Sequence, residues 1–249
     1  MTTYIRRIEV KRDDIPSYKH YPFSLPTIKE LETLAFHPNV TYIVGENGMG
    51  KSTLLEAIAI AVGFNPEGGT LNFSFSTEDS HSDLHEYLRP VRGADRPKDG
   101  FFLRAESFYN VASEINKLDR ESSLGVPIIE SYGGTSLHEQ SHGEAFFATF
   151  THRFGGKGLY ILDEPEAALS PFRQLSMLSR IHELVQGGSQ FIIATHSPIL
   201  MAYPEATLYN LTENGIEETT LEETSHFSLM KQFVNDKDRL LHHLFHEEQ

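Results

Sequence analysis

A glycine-rich loop carries the clearest chemical pattern in the sequence. The segment Gly45-Glu46-Asn47-Gly48-Met49-Gly50-Lys51-Ser52-Thr53 matches Gly-x4-Gly-Lys-[Ser/Thr], whose glycines let successive backbone N–H groups turn inward around an anion. A lysine after the last glycine can reach the β- and γ-phosphates of a nucleotide, and the hydroxyl that follows can ligate Mg²⁺. We therefore predict a nucleotide-phosphate site whose binding residues are Asn47, Gly48, Gly50, Lys51, Ser52 and Thr53.

Two adjacent carboxylates follow a second apolar segment. The run 159–162 precedes Asp163 and Glu164, which is typical of a buried strand that delivers acids at its C-terminal end. At that edge Asp163 can share a metal ion with Ser52, and Glu164 can polarise an attacking water. The sequence therefore predicts Ser52 and Asp163 as Mg²⁺ ligands and Glu164 as a catalytic residue.

Two further segments could also face a phosphate. Residues 141–144 open an apolar helix in which Ser141 and Glu144 match a capping box, and a helix N-terminus with a free serine hydroxyl is also an anion site. The predicted strand 190–194 ends in Thr195-His196-Ser197-Pro198, so that His196 could face the same γ-phosphate. A structural role for the cap and for a lone histidine remains the alternative.

The elements around the glycine loop follow the order that a phosphate site requires. Residues 40–44 are apolar and β-branched, and leucine, isoleucine and valine recur at helical spacing over 54–62 before Gly63. This context favours nucleotide binding over an ordinary glycine-rich turn. Elsewhere we expect strands at 4–10, 71–76 and 101–106, a hairpin at 206–223, and helices at 81–92, 113–119, 141–150, 167–185 and 227–245.

Several patterns have a second interpretation. In the helix at 167–185, the residues expected on the packed face are Leu175, Leu178, Ile181, His182 and Val185. Residues 116–119 match the Asn-Lys-x-Asp of small GTPases, but they do not follow a buried strand, and we interpret the match as coincidence. His242 and His246 could bind a metal, although no acid lies between them in the zinc-hydrolase arrangement. Of the aromatic residues Tyr18, Tyr21 and Phe23, one could stack on a base, but packing is favoured.

The composition of the chain limits the partners and the cellular compartment that we expect for this protein. The chain has 249 residues, with 35 acidic and 21 basic side chains and a net charge of −14, so that nucleic acid would be bound through a local patch or a partner. The chain has no cysteine, and no segment reads as a signal peptide or a membrane span. We expect a soluble, cytoplasmic protein.

Taken in order, these motifs resemble those of the ABC-type ATPase superfamily. The loop 45–53 resembles its Walker A motif, 159–164 its Walker B motif with the catalytic glutamate, and 141–144 a reduced Ser-Gly-Gly-Gln signature. Residues 168–171 occupy the D-loop position, and 195–198 resemble the histidine switch. The match is closer to the soluble recombination-repair, chromosome-maintenance and overcoming-lysogenization-defect ATPases than to transporter subunits.

Three departures from that family are visible. No glutamine follows the strand at 101–105, where Glu106 and Ser107 stand in place of the Q-loop, and Ser170 replaces the D-loop aspartate. About 90 residues separate the Walker A motif from the signature, without the heptad pattern of a long coiled coil. An arm that reaches along DNA is therefore not expected.

The resemblance implies an α/β fold, a P-loop NTPase of ABC-ATPase type with a mixed sheet, flanking helices and a short helical signature lobe. It divides the chain into a nucleotide-binding core (1–110 and 155–225), the signature lobe (111–154) and a C-terminal amphipathic helix (226–249). It also implies that ATP and Mg²⁺ bind, that Lys51, Glu164 and His196 are catalytic, and that Ser141, Gly143 and Glu144 contact the nucleotide held by a second copy of the chain.

The resemblance therefore implies a homodimeric ATPase in which two nucleotides are held between two chains. Its expected function is to drive a separate effector protein in DNA maintenance or anti-phage defence. Two alternatives remain: the ATPase subunit of a membrane ABC transporter, and a nucleotide-gated interaction module that does not hydrolyse ATP. The reduced signature, the missing Q-loop glutamine and the Thr-His-Ser-Pro segment argue against the transporter subunit.

Overall fold

The computed structural model describes residues 3–71, 82–105, 108–121, 127–135 and 142–246. Residues 72–76 of the strand predicted at 71–76 lie outside the described residues. The strands in the described ranges are β1 (Ile5–Val10), β2 (Thr33–Ala35), β3 (Val40–Gly45), β4 (Gly69–Thr70), β5 (Leu88–Arg92), β6 (Asp99–Arg104), β7 (Gly158–Asp163), β8 (Gln190–Ala194), β9 (Thr207–Thr212) and β10 (Gly215–Thr219).

The helices connect these strands on both sides of the main sheet. They are α1 (Pro26–Lys29), α2 (Lys51–Val62), α3 (Phe108–Glu121), α4 (His142–Ala148), α5 (Pro171–Gln186), α6 (Pro198–Met201), α7 (Ser225–Asn235) and α8 (Lys237–His246). A π-helical turn, Thr149–Arg153, extends α4. Across the described ranges, none of the helices has both the length and the apolar character needed to cross a membrane.

The main sheet has seven strands in the order β10-β9-β3-β8-β7-β6-β4. The five central strands are parallel, whereas β10 and β4 pair antiparallel to β9 and β6 at the two edges. Every residue of β3, β7 and β8 is buried, as expected for parallel strands that are covered on both faces. The mixed α/β sheet with flanking helices that the sequence predicts is therefore confirmed.

Alternating side chains of the central strands enter two separate cores. Val40, Tyr42 and Val44 of β3 pack with residues of α3, α4 and α5. Ile43, between them, packs on the other face with α2 and the smaller sheet. This alternation follows from the two-residue period of a strand. It holds α2, and therefore the glycine loop that precedes it, against the sheet.

The smaller sheet replaces a helix that the sequence predicts. Strands β2-β1-β5 form a three-stranded antiparallel sheet, and β5 covers much of the segment expected to be helical at 81–92. Only Asp83–Tyr87 forms a 3₁₀ turn. Pro90 explains the difference, because proline disrupts a helix interior but is tolerated in an edge strand.

The helix predicted at 167–185 is interrupted. Residues Pro165–Ala168 form a 3₁₀ turn, and α5 begins only at Pro171, where the Ser170 hydroxyl accepts the N–H of Arg173 at 3.5 Å. The expected packed face is also partly wrong, because Leu175 is 52% exposed. The residues buried in this helix are Met177, Ile181, Leu184 and Val185.

The single C-terminal helix predicted at 227–245 is two helices. They separate at Asp236, whose backbone (φ −150°, ψ 59°) is not helical. The Asp236 carboxylate accepts the N–H of Arg239 at 3.3 Å, as an N-cap residue does, and this bond explains why a new helix begins there. Neither α7 nor α8 contains a buried residue.

Candidate functional site

The glycine loop joins the C-terminal end of β3 to the first residue of α2. Gly45 and Gly50 have φ angles of 136° and 90°, which residues with a side chain rarely adopt. A Cβ atom at Gly45 would lie 2.5 Å from the carbonyl oxygen of Leu211 on β9. The loop therefore follows a path that needs glycine, and Lys51 begins the helix directly after it.

Lys51 is a buried cation that faces this loop. Its side chain is 4% exposed, and its Nζ donates to the carbonyl oxygen of Glu46 at 3.1 Å. Burial lowers the pKa of Lys51 below its ordinary value, while the nearby carboxylates of Glu164 and Asp163 oppose that change. A phosphate in the loop would supply the negative charge that a desolvated ammonium lacks.

Ser52 and Asp163 meet although 111 positions separate them in the sequence. The Ser52 hydroxyl donates to Asp163 Oδ1 at 3.1 Å, and Asp163 is buried at the C-terminal end of β7. A hydroxyl and a carboxylate fit Mg²⁺, which takes one or two protein oxygens and completes its shell with phosphate and water. The described ranges contain no cluster of three or more histidine or acidic side chains that could hold a metal ion.

Arg104 is a site residue that the sequence reasoning missed. It ends β6 directly beside Asp163 in the parallel register, forms an ion pair with Glu56 of α2, and places Nε 3.7 Å from Asp163 Oδ2. A basic residue at the end of the predicted strand 101–106 was the available signal. The ion pair with Glu56 attaches α2 to the end of β6, and Arg104 orients Asp163 at the end of β7.

Glu164 and His196 come together at the ends of neighbouring strands. Glu164 follows β7 in a left-handed conformation (φ 48°, ψ 52°), which is uncommon for a residue other than glycine. Its Oε1 lies 3.5 Å from His196 Nε2. Its side chain remains 40% exposed, so that solvent reaches the carboxylate.

Glu166 fixes the backbone of the histidine segment. Its Oε1 accepts the backbone N–H of His196 at 2.6 Å. Burial raises the pKa of Glu166 above its ordinary value, although this hydrogen bond acts in the opposite direction. Sequence reasoning missed this residue because its role depends on how the turn after β7 packs on the end of β8.

The first turn of α7 also reaches the site. His226 Nε2 lies 2.8 Å from His196 Nδ1, and the Ser225 hydroxyl donates to Glu46 Oε1 at 2.9 Å. Burial lowers the pKa of His196 below its ordinary value, and the charges of Lys51 and His226 lower it further. No motif in the sequence indicates either contact.

Tyr21 lies beside the glycine loop and lines a cavity of about 260 Å³ together with Asn47, Lys51 and Glu164. Its ring is 64% exposed, and its hydroxyl is 2.8 Å from Thr53 Oγ1. Phe23, by contrast, is buried and packs edge-on against Tyr87. The aromatic loop therefore packs through Phe23, while Tyr21 borders the cavity.

Two of the predicted signature residues, Gly143 and Glu144, lie on α4. Gly143 packs so closely that a Cβ atom there would lie 2.4 Å from the carbonyl oxygen of Ala168, and Glu144 lies 3.8 Å from Arg173. Ser141 lies outside the described residues, as do Glu106 and Ser107 of the Q-loop position.

The GTPase-like tetrapeptide has a structural role. Residues 116–119 lie within α3, where the two Asp119 carboxylate oxygens accept the backbone N–H groups of Ile128 and Ile129 at 2.6 and 2.9 Å. His242 and His246 stack on the exposed helix α8, with ring centroids 4.5 Å apart. These contacts do not involve the glycine loop.

The parallel sheet, the glycine loop before α2 and the acids that end β7 define a P-loop ATPase domain of the ABC type. A sequence model described as "AAA domain" matches residues 22–122. A second, described as "AAA domain, putative AbiEii toxin, Type IV TA system", matches residues 73–202, which is just over half of the chain. The chain belongs to this second family, and the resemblance to ABC-type and AAA P-loop ATPases is confirmed.

Individual relatives are more distant. "Putative ABC transporter ATP-binding protein TTE0246" of Caldanaerobacter subterraneus subsp. tengcongensis is 27% identical over 70% of this chain and 77% of its own length. ABC transporter G family member STR2 of Medicago truncatula is 26% identical over 64% of this chain but only 24% of its own length. The solved ATP-binding cassette MJ1267 of an ABC transporter has a TM-score of 0.51 and 19% identity, covering 96% of this chain and 98% of the cassette. This likeness concerns the fold.

Proposed function

We propose that this chain binds ATP with Mg²⁺ and hydrolyses it to ADP and phosphate. The observation that carries the proposal is the meeting of five side chains at the C-terminal ends of β3, β7 and β8, where ligands bind in open α/β sheets. These are Lys51, Ser52, Asp163, Glu164 and His196.

Binding would use the loop and the residues that follow it. The backbone N–H groups around Gly48 and Gly50, with Lys51, bind the β- and γ-phosphates, and Thr53 and Asn47 complete the contacts. Ser52 and Asp163 would hold Mg²⁺, which supplies neutralising charge at the phosphate oxygens.

Hydrolysis would depend on Glu164 and His196. Glu164 accepts a hydrogen bond from a water and takes up its proton as the water oxygen bonds to the γ-phosphorus. The bond from the γ-phosphorus to the bridging oxygen breaks at the same time, and ADP leaves with that electron pair. His196 donates a hydrogen bond to the γ-phosphate, where negative charge is redistributed.

A homodimer is part of the proposal, as the resemblance to ABC-type ATPases implies. Within one chain, Gly143 packs against Ala168 and Glu144 lies 3.8 Å from Arg173. In the dimer, Ser141 would meet the γ-phosphate held by Lys51 of the second copy. The division into core (1–110 and 155–225), signature lobe (111–154) and C-terminal segment (226–249) remains our proposal. We further propose that the ATPase drives a separate effector protein in DNA maintenance or anti-phage defence; the family description names a putative toxin of a type IV TA system.

Replacement of Glu164 tests the enzyme claim. We expect Glu164→Gln to lower the rate of phosphate release by roughly 10²- to 10⁴-fold while ATP still binds, because glutamine cannot accept the proton. Glu213→Gln, at an exposed acid in the turn between β9 and β10, is the control and should leave the rate unchanged. Equal phosphate release from the two proteins would contradict the role of Glu164, and release no faster than in a protein-free blank would support the non-hydrolytic interaction module instead.

The bacterial relative is named as a putative ABC transporter ATP-binding protein, which supports a second candidate function: the ATPase subunit of a membrane transporter. The two candidates differ in the partner that they require. Affinity purification of the tagged chain from detergent-solubilised cells should recover a protein with several membrane spans if the transporter assignment is correct. Recovery of a water-soluble effector instead would support the first candidate.

A further inference from the structure

His226 contacts His196 at the ring nitrogen opposite the one that lies beside Glu164. The two nitrogens, His226 Nε2 and His196 Nδ1, are 2.8 Å apart, which is a hydrogen-bond distance. A neutral imidazole has one N–H and one bare nitrogen, so one of the two rings must donate and the other must accept.

The opposite nitrogen of His196 decides which ring donates. His196 Nε2 is buried and lies 3.5 Å from the Oε1 atom of Glu164, and none of the residues that the structure describes forms a hydrogen bond with it. A lone pair on Nε2 would face the carboxylate oxygen and be repelled, whereas an N–H would be attracted. A γ-phosphate oxygen would impose the same preference, because it is also an acceptor.

We propose that His226 is a positioning residue that donates its Nε2–H to His196 Nδ1 and thereby holds His196 in the tautomer whose Nε2–H faces the γ-phosphate. The inference rests on the proposed ATPase function, because it assigns His196 the role of a hydrogen-bond donor in that reaction. A carboxylate in place of His226 would accept from Nδ1 instead. An imidazole partner therefore suits a neutral histidine that must donate at Nε2.

The surroundings lower the pKa of His196 and hold His226 in place. Burial lowers the pKa of His196 most, and the charges of Lys51 and His226 lower it further, against the opposing effect of Glu164 and Glu46. The first turn of α7 is fixed by Thr224, which is 2% exposed, donates to the Leu221 carbonyl oxygen at 2.7 Å and accepts the Phe227 N–H at 3.3 Å. His226 is therefore presented from a capped helix start.

Steady-state kinetics test whether His226 acts through His196. We expect His226→Ala to lower kcat about tenfold, with KM for ATP changed by less than about twofold, because positioning partners typically contribute on this scale. His226→Gln should recover most of kcat, because its amide can donate from a similar position. The control is His182→Ala, which removes a different hydrogen bond, 3.2 Å long, to the Tyr203 hydroxyl.

Two further measurements separate positioning from general stabilisation. In His196→Ala, the additional change His226→Ala should cause no further loss of kcat. In the ¹⁵N-histidine-labelled protein, the side-chain nitrogen shifts should show His196 protonated at Nε2 and bare at Nδ1. Additive losses, a His226→Ala enzyme as fast as the unchanged one, or a proton on Nδ1 of His196 would each overturn the proposal. Absence of any ATP turnover would count against the proposed function, while the nitrogen shifts would still decide the tautomer.

Discussion

Lys51 and His196 are both bases whose pKa lies below its ordinary value, and burial is the first cause in each case. Each therefore has less favourable surroundings for its charge than water would give it. Binding sites commonly hold such groups, because a ligand supplies the interactions that the folded chain alone does not. We therefore expect Lys51 to favour nucleotide binding and to lower the stability of the nucleotide-free protein.

The substitution Lys51→Met tests that trade-off at the scale of one residue. It removes a buried cation and keeps an unbranched side chain, so we expect the Tm of the nucleotide-free protein to rise by about 2–4 °C, equivalent to about 1 kcal/mol. The further rise in Tm caused by ATP and Mg²⁺ should disappear. Differential scanning fluorimetry measures both effects, with exposed Lys19→Met as the control. An unchanged response to ATP would contradict the role of Lys51 in binding.

At the scale of elements, Asp99 joins the start of β6 to the segment that leads into β7. Its carboxylate accepts hydrogen bonds from Arg153 at 2.9 Å, from the backbone N–H of Gly155 at 3.0 Å and from the Tyr160 hydroxyl at 2.8 Å. Burial by itself would raise the pKa of Asp99, but the three donors lower it below 3.8. The network therefore holds β6 and β7 in register, and these strands end in Arg104 and Asp163.

The pH dependence of stability tests this network. Because the folded pKa of Asp99 is depressed, its contribution is present above the unfolded value near 3.8 and is lost as the pH falls through the folded pKa. We expect Asp99→Asn to lower the free energy of unfolding by about 1–3 kcal/mol at neutral pH, as measured by urea denaturation. The difference from the unchanged protein should shrink in acid. Asp13→Asn, at an exposed acid, is the control, and a loss that does not depend on pH would contradict the account.

At the scale of the whole molecule, two large apolar side chains lie at the start of α5 without being buried. Phe172 is 84% exposed and Leu175 is 52% exposed, and both follow the D-loop position at 168–171. In the homodimer that we propose, this part of the surface faces the second copy. Burial of an exposed aromatic side chain there would contribute to association, as such residues do at other interfaces.

Light scattering with purified protein tests the dimer. We expect Glu164→Gln to be dimeric with ATP and monomeric with ADP, because the γ-phosphate is the group held by both chains. Adding Phe172→Ser should raise the dimer dissociation constant about tenfold, or about 1.4 kcal/mol. Phe245→Ser removes a side chain that is 73% exposed on α8 and serves as the control. A monomer under all nucleotide conditions would contradict the proposed dimer.

The sequence predicted the elements that carry the glycine loop and the strand-end acids. Apolar runs at 40–44, 159–162 and 190–194 correspond to β3, β7 and β8, because buried parallel strands have a strong local signal. The helix predicted at 81–92 is wrong because Pro90 favours the edge strand β5 over a helix interior. The break at Asp236 was missed because the apolar periodicity of α7 and α8 continues across an N-cap.

The sequence by itself predicted a glycine loop of the phosphate-binding pattern and two acids at the end of an apolar strand, because motif residues are adjacent in the chain and strand order is a local pattern. Only the tertiary structure placed Arg104 beside Asp163 and Glu166 on the backbone of His196. It alone brought His226 to within 2.8 Å of His196 from a helix 30 positions later. Such contacts depend on how whole elements pack against one another, and the spacing of residues within any one element does not encode that packing.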